Sequence, residues 1–167
     1  MKLACETYVW EMLGPDWHGT PEQLLDYVAE AGYEGIEYTT TMLGRFFSSP
    51  KEFANEVTQR GLKFCCLAFG TPSGFTDPGA LKADLEIAQQ AVSFLTHFPG
   101  AQLEPGTANH PQTEQNWKRK IDNAITFYNK VSQLAARSQI TVCVHPNSGD
   151  HSLLKTAEQY RYLMQNL

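Results

Sequence analysis

"TPEQLLDYVAEAGYEGIEYT", residues 20–39, contains the unit from which the rest of the chain is built. Thr20, with Pro21 next and Gln23 three positions on, forms a capping box. The hydroxyl can accept the free N–H of the first helical turn while the glutamine reaches back to the threonine N–H. Leu24, Leu25, Val28 and Ala29 then recur at helical spacing and make one apolar face. Gly32 stands where a helix stops by turning left-handed. "YEGIEYT" (33–39) follows at once as a short strand.

The same order recurs along the chain. The run "KLACETYVW" (2–10) precedes this first helix as a strand. A second helix starts at Ser49-Pro50, with Glu52 placed to close a capping box, and stops at Gly61; "LKFCCLAF" (62–69) is the third strand. Asp77 is placed to cap a third helix that carries Leu81, Leu85, Ala88, Val92 and Leu95. "GAQLE" (100–104), between Pro99 and Pro105, reads as the fourth strand. A long helix from about Thr113 to Ser138 buries Trp117, Ile121, Ala124, Tyr128, Val131 and Ala135. "ITVCV" (140–144) is the fifth strand. A last helix starts near Leu153 or Thr156 and carries Ala157, Tyr160 and Leu163 or Met164.

Strands separated by helices pair in parallel through right-handed crossovers, so this order predicts an α/β sheet covered by helices. An open doubly wound sheet and a barrel both satisfy it. There is no GxGxxG after the first strand and no GxxxxGK[ST], which puts the barrel ahead. Five units in 167 residues is about 33 residues each, the pitch of a barrel whose eight units take about 250 residues. The expectation is therefore one domain over residues 1–167: a TIM-barrel type α/β fold truncated to about five parallel strands with helices outside. Its open sheet edges invite pairing, so homo-oligomers are expected.

With 42% hydrophobic and 19% charged residues the chain is of ordinary globular composition. A net charge of −5 excludes a general nucleic-acid surface, and Lys118-Arg119-Lys120, flanked by Glu114 and Asp122, reads as a solvated helix face. No run of about 18 apolar residues offers a membrane span, and the N-terminus has no signal-peptide pattern. Cys5, Cys65, Cys66 and Cys143 lie in apolar runs without CxxC spacing. They read as reduced core thiols, and the compartment as the cytoplasm.

Ligands meet parallel sheets at the carboxyl ends of the strands. Glu37 lies toward that end of the second strand, Glu104 of the fourth and His145 of the fifth; Glu6, Glu11 and Trp10 lie in or beyond the first. Carboxylates and an imidazole on one rim suit a divalent cation and proton transfer beside a carbonyl. Each has a plainer alternative. Glu37 could only accept loop amides, Glu104 could be an exposed turn residue before Pro105-Gly106, and Asn147 could serve the turn after Pro146. Trp10 and Trp17 could wall a pocket or simply pack. His18, His97 and His110 receive no assignment.

"AEAGYEGIEY" (29–38), "QRGLKFCCLAFG" (59–70) and "VCVHPNSG" (142–149) resemble the sugar phosphate isomerase/epimerase family of xylose isomerase-like barrels. His-Pro-x-x-Gly is similar to its inosose dehydratase-like branch. The resemblance implies a metal-dependent barrel acting on a sugar or polyol by proton transfer next to a carbonyl. Glu37 and His145 would be catalytic, Trp10, Glu104 and Asn147 would bind substrate, and His145 would hold a divalent Mn, Mg, Co or Zn ion, taking the place of a glutamate found in many relatives. The family's other ligands, after strands six to eight, have no counterpart in these 167 residues, so the chain is expected not to hold the ion tightly. A non-catalytic half-barrel serving binding or assembly is the alternative, and an endonuclease IV-like activity is disfavoured by the acidic balance.

Overall fold

A computed structural model describes residues 2–110, 116–145, 147 and 149–167. Four parallel strands form one sheet in the order β1 (Ala4–Glu6), β2 (Gly35–Thr39), β3 (Lys63–Phe69) and β4 (Gln102–Pro105). The helices are α1 (Tyr8–Glu11), α2 (Pro21–Glu30), α3 (Pro50–Gln59), α4 (Leu81–Leu95), α5 (Trp117–Ala136) and α6 (Ala157–Asn166). Neighbours in sequence are neighbours in space: α2 against α3, α3 against β3, α4 against β3, β4 and α5, and α5 against α6.

The opening unit folds as its residues require. Thr20 accepts from the Gln23 N–H at 3.3 Å while Gln23 accepts from the Thr20 N–H at 2.8 Å. At the other end Gly32 (φ +82°) donates to the Ala29 carbonyl and Tyr33 to that of Val28, which satisfies two of the last carbonyls of α2. Gly61 (φ +67°) repeats this after α3 with Thr58 and Val57. After α5 the left-handed position falls on Gln139 (φ +57°), where no glycine marks it. Thr156 and Gln159 form a second complete capping box at α6, whose buried residue is Leu163; Met164 is 70% exposed.

Several expectations are corrected. The first strand is only Ala4–Glu6, because the chain turns into α1 at Tyr8; Trp10 therefore sits on a helical turn and not at a strand end. Ser49 makes no side-chain cap, and Glu52 is drawn instead to Arg45 at 2.6 Å. Asp77 accepts from the Gly79 N–H in a turn, and α4 starts at Leu81. The long helix starts at Trp117 within the described residues; the expected start at Thr113, like Glu114 and the Pro146 turn, lies outside them.

"ITVCV" runs beside β4 as expected but makes a single parallel bridge, Leu103 to Val142. Proline explains the shortfall. The Leu103 N–H donates to the Thr141 carbonyl and its own carbonyl accepts from Cys143, both at 2.9 Å. The next rung needs an N–H from Pro105, which has none, so only the bond from His145 to the Pro105 carbonyl (3.2 Å) forms.

One irregularity fixes which residues face which way. Ile36 pairs with Phe64, but Glu37 pairs with Cys66, so Cys65 is an extra residue in β3, a β-bulge. Outward from the sheet, Ile36, Tyr38, Phe64, Leu67, Phe69 and Leu103 are buried under the helices. Phe53 of α3 meets the rings of Tyr38, Phe46, Phe64, Phe94 and Phe98 at centroid distances of 5.2–6.0 Å. The inward positions carry Glu6, Glu37, Cys66, Glu104 and, beyond the bridge, His145.

Candidate functional site

Glu6, Glu37 and Cys66 lie in register across β1, β2 and β3, so their side chains stand side by side on the inward face. Glu104 pairs with Ala68, two positions above Cys66 in β3, and inclines over this row. The Cys66 thiol donates to its Oε2 at 3.5 Å, and its Oε1 is bonded to Nδ1 of His145. The Glu104 side chain is 15% exposed and that of His145 40%, so the pair reaches from the sheet interior to the open rim. Ligand atoms of Glu37, Cys66 and Glu104 fall within 4.8 Å of one another.

Crowding changes how these groups titrate. Burial, then the negative charges of Glu104 and Glu6, push the Glu37 carboxyl up to about 7, against the counteracting influence of His145 and Cys66. Its Oε1 is buried with no hydrogen-bond partner among the described residues. Burial and the flanking carboxylates Glu37 and Glu104 push the Cys66 thiol well above its ordinary range, so it stays protonated and acts as a donor.

Above the row a pocket opens at the carboxyl ends of the strands, lined by Glu6, Glu104, His145 and Asn147 together with Tyr8, Glu11, Thr39 and Thr107. Glu11, on α1, accepts from the Thr39 hydroxyl at the tip of β2. Asn147 lines the pocket and also fixes its own turn, its Oδ1 accepting from the Gly149 N–H at 2.7 Å. Three loops are tied around the rim: Asn109 donates to the Gly74 carbonyl and bridges to Ser152, and Leu153 donates to the Ala108 carbonyl.

Sequence reasoning placed Glu37, Glu104 and His145 at one rim, and they do converge. The plainer alternative for Glu104, an exposed turn residue, does not hold: it is a strand residue bonded on both sides. Trp10 packs edge-on against Trp17 at 6.4 Å and is not among the residues that line the pocket. Two participants were missed. Cys66 was set aside as an inert thiol, and the signal that could have found it is the doubled cysteine, which breaks the strand's two-residue period. Thr39 had no signal, because its partner Glu11 arrives from a helix read as strand. Of the four thiols, all unpaired, only Cys66 is buried.

Comparison with known proteins agrees with this fold. The family model for the xylose isomerase-like TIM barrel matches residues 25–167. No curated protein matches the chain in sequence. Among solved structures, the D-psicose 3-epimerase of Clostridium cellulolyticum superposes with a TM-score of 0.75 at 14% identity, over 99% of this chain and 60% of that one. The 3-keto-D-glucoside 4-epimerase of E. coli gives 0.69 at 16% identity, over 99% and 64%. A probable 3-DHS dehydratase from Bacillus anthracis gives 0.70 at 13%, over 99% and 59%. The chain thus spans about three fifths of the length of these structures. The fold is a TIM-barrel type α/β sheet with helices outside, and the chain belongs to the xylose isomerase-like TIM barrel family.

Proposed function

We propose that the inward face of this sheet serves an isomerase, epimerase or dehydratase that moves a proton at a carbon next to a carbonyl in a keto sugar or polyol. The observation that carries this reading is the Glu37 carboxyl, buried beside Glu104 and titrating at about 7. A group poised near neutrality both takes and returns a proton readily, which a carboxyl at its ordinary 4.5 does less well. Glu37 is the acid–base group. Glu104 engages Nδ1 of His145, which orients the ring and leaves Nε2 as the nitrogen for a substrate oxygen or a metal. Glu104 and Asn147 meet the substrate at the pocket wall, and Trp10, packed on Trp17, steadies α1 behind it.

A divalent cation fits the residues present. The buried, unpartnered oxygen of Glu37 lies within reach of Glu104, and His145 adds an imidazole donor. Glu104 and His145 would hold it, with Glu37 left beside it as the acid–base group and the protonated Cys66 a poor ligand. When bound, it supplies polarisation of the substrate carbonyl.

The test is deuterium uptake from D2O into D-fructose with Mn2+ in large excess, read by mass spectrometry. Uptake that falls about a hundredfold or more in Glu37→Gln is the expected result. The second reading, a half-barrel that binds without turnover, is favoured by the partly exposed inward face (Glu37, Glu104 and His145 are only half-buried). Sugar binding with no uptake would establish it in place of the first.

A further inference from the structure

We propose that the pocket selects an unphosphorylated, uncharged polyhydroxy ligand and rejects phosphate esters and carboxylates of the same size. This rests on the sugar-directed reading above and narrows its substrate class. Anionic groups are held in proteins by lysine or arginine, by the N-terminus of a helix, or by free backbone N–H groups. Among the described residues the pocket is lined by no lysine or arginine and by no N-terminus of a helix of ten or more residues.

No lysine or arginine is among its lining residues, and none of the residues outside the described set is a lysine or arginine either. The five helices of ten or more residues, α2 to α6, open elsewhere, for no residue of their first turns lines the pocket. Four of the amides at the rim are engaged: Thr40 donates to the Ala68 carbonyl, Gly106 to Phe69, Asn109 to Gly74 and His145 to Pro105.

What lines the pocket instead is mostly carboxylic or uncharged, and its one imidazole, His145, is engaged by Glu104. Glu6, Glu11 and Glu104 are carboxylic, with Glu37 beneath them. A divalent cation held by Glu104 and His145 would offset two of these charges and still leave carboxylates, Glu6 and Glu11 among them, to repel an anion. Apart from His145, the remaining polar lining is hydroxyl and amide: Tyr8, Thr39, Thr40, Thr41, Thr107, Asn109 and Asn147. Hydroxyls and amides both accept from and donate to sugar hydroxyls, and carboxylates accept from them, with no charge needed on the ligand. Glu11 is held in place on the lining. One of its oxygens accepts from the Thr39 hydroxyl, which holds the carboxylate on the pocket lining, where a bound phosphate would meet it.

The experiment titrates the full chain with D-fructose and with D-fructose 6-phosphate by saturation-transfer NMR, at low and at physiological ionic strength. Binding of the phosphate ester about tenfold or more weaker than that of the sugar is expected, with the gap narrowing as salt screens the carboxylates. Glu11→Lys, its fold checked by the amide spectrum, should bring the ester to within about threefold of the sugar. A phosphate ester that binds wild-type protein as well as the sugar overturns the selectivity and leaves the sugar reading standing. A gap unmoved by Glu11→Lys overturns the role of Glu11. Binding of neither compound overturns both proposals together.

Discussion

The two faces of the sheet are made of alternate residues of the same strands and have little else in common. Ile36, Tyr38, Phe64, Leu67, Phe69 and Leu103 on the outward face are buried under helices in a layer of interlocking aromatic rings. Glu6, Glu37, Glu104 and His145 on the inward face are half-buried carboxylates and an imidazole, and Glu37 keeps a buried oxygen without a partner. The outward face supplies the apolar burial that holds the fold. The inward face costs stability, because like charges are crowded where water is scarce. Folding and chemistry are separated here by a single peptide unit.

The comparison is broken most severely from outside. Phe53→Ala removes the ring that five others contact and should cost about 3–5 kcal/mol, read as the shift in urea midpoint at an unchanged slope. A loss under about 1 kcal/mol would show that the aromatic layer does not carry the fold.

Gly35→Ala probes the lower inward face. An added Cβ would meet the Cys65 Sγ at 2.6 Å and the Ala4 Cβ at 3.1 Å, so a loss of about 1–3 kcal/mol is expected. Gly35→Ala made in a Cys65→Ala background should recover part of that loss.

The smallest effect has the opposite sign. A carboxyl raised from 4.5 to about 7 binds its proton more tightly in the folded state, so the chain loses stability as pH rises through that window. Glu37→Gln removes the charge and should stabilise the protein by about 1–2 kcal/mol at pH 8, discounted for partial exposure, and by nothing at pH 4. Equal midpoints for variant and wild type at both pH values would mean that the crowding on the inward face costs nothing.

Much of this division was legible in the chain itself. Capping residues and left-handed glycines located α2 and the ends of α2 and α3, and the apolar spacing of α5 marked its buried positions, because these signals lie within one turn of the residue they govern. Strand limits were less legible. Nothing local to "KLACETYVW" shows that it bends into a helix after Glu6, and "ITVCV" is shortened by Pro105, a residue of its neighbour and not its own. The site followed the same logic. Glu37, Glu104 and His145 could be found as polar residues at strand ends. The pairing of Cys66 with Glu104 and of Glu11 with Thr39 depends on contacts 38 and 28 positions apart, which no local pattern encodes.

The extra residue in β3 has a consequence for anyone who aligns this chain with its relatives. From Lys63 to Ala68, "KFCCLA" has six letters for five rungs of the ladder with β2. At 13–16% identity there is little else to anchor an alignment through this strand. A gapless comparison with a relative that lacks the bulge puts every residue on one side of Cys65 out of phase, trading lumen for helix side. There Leu67 would be read as a pocket residue and Cys66 as core. One unmatched position opposite Cys65 restores the phase, and with it the row that joins Cys66 to Glu37 and Glu6.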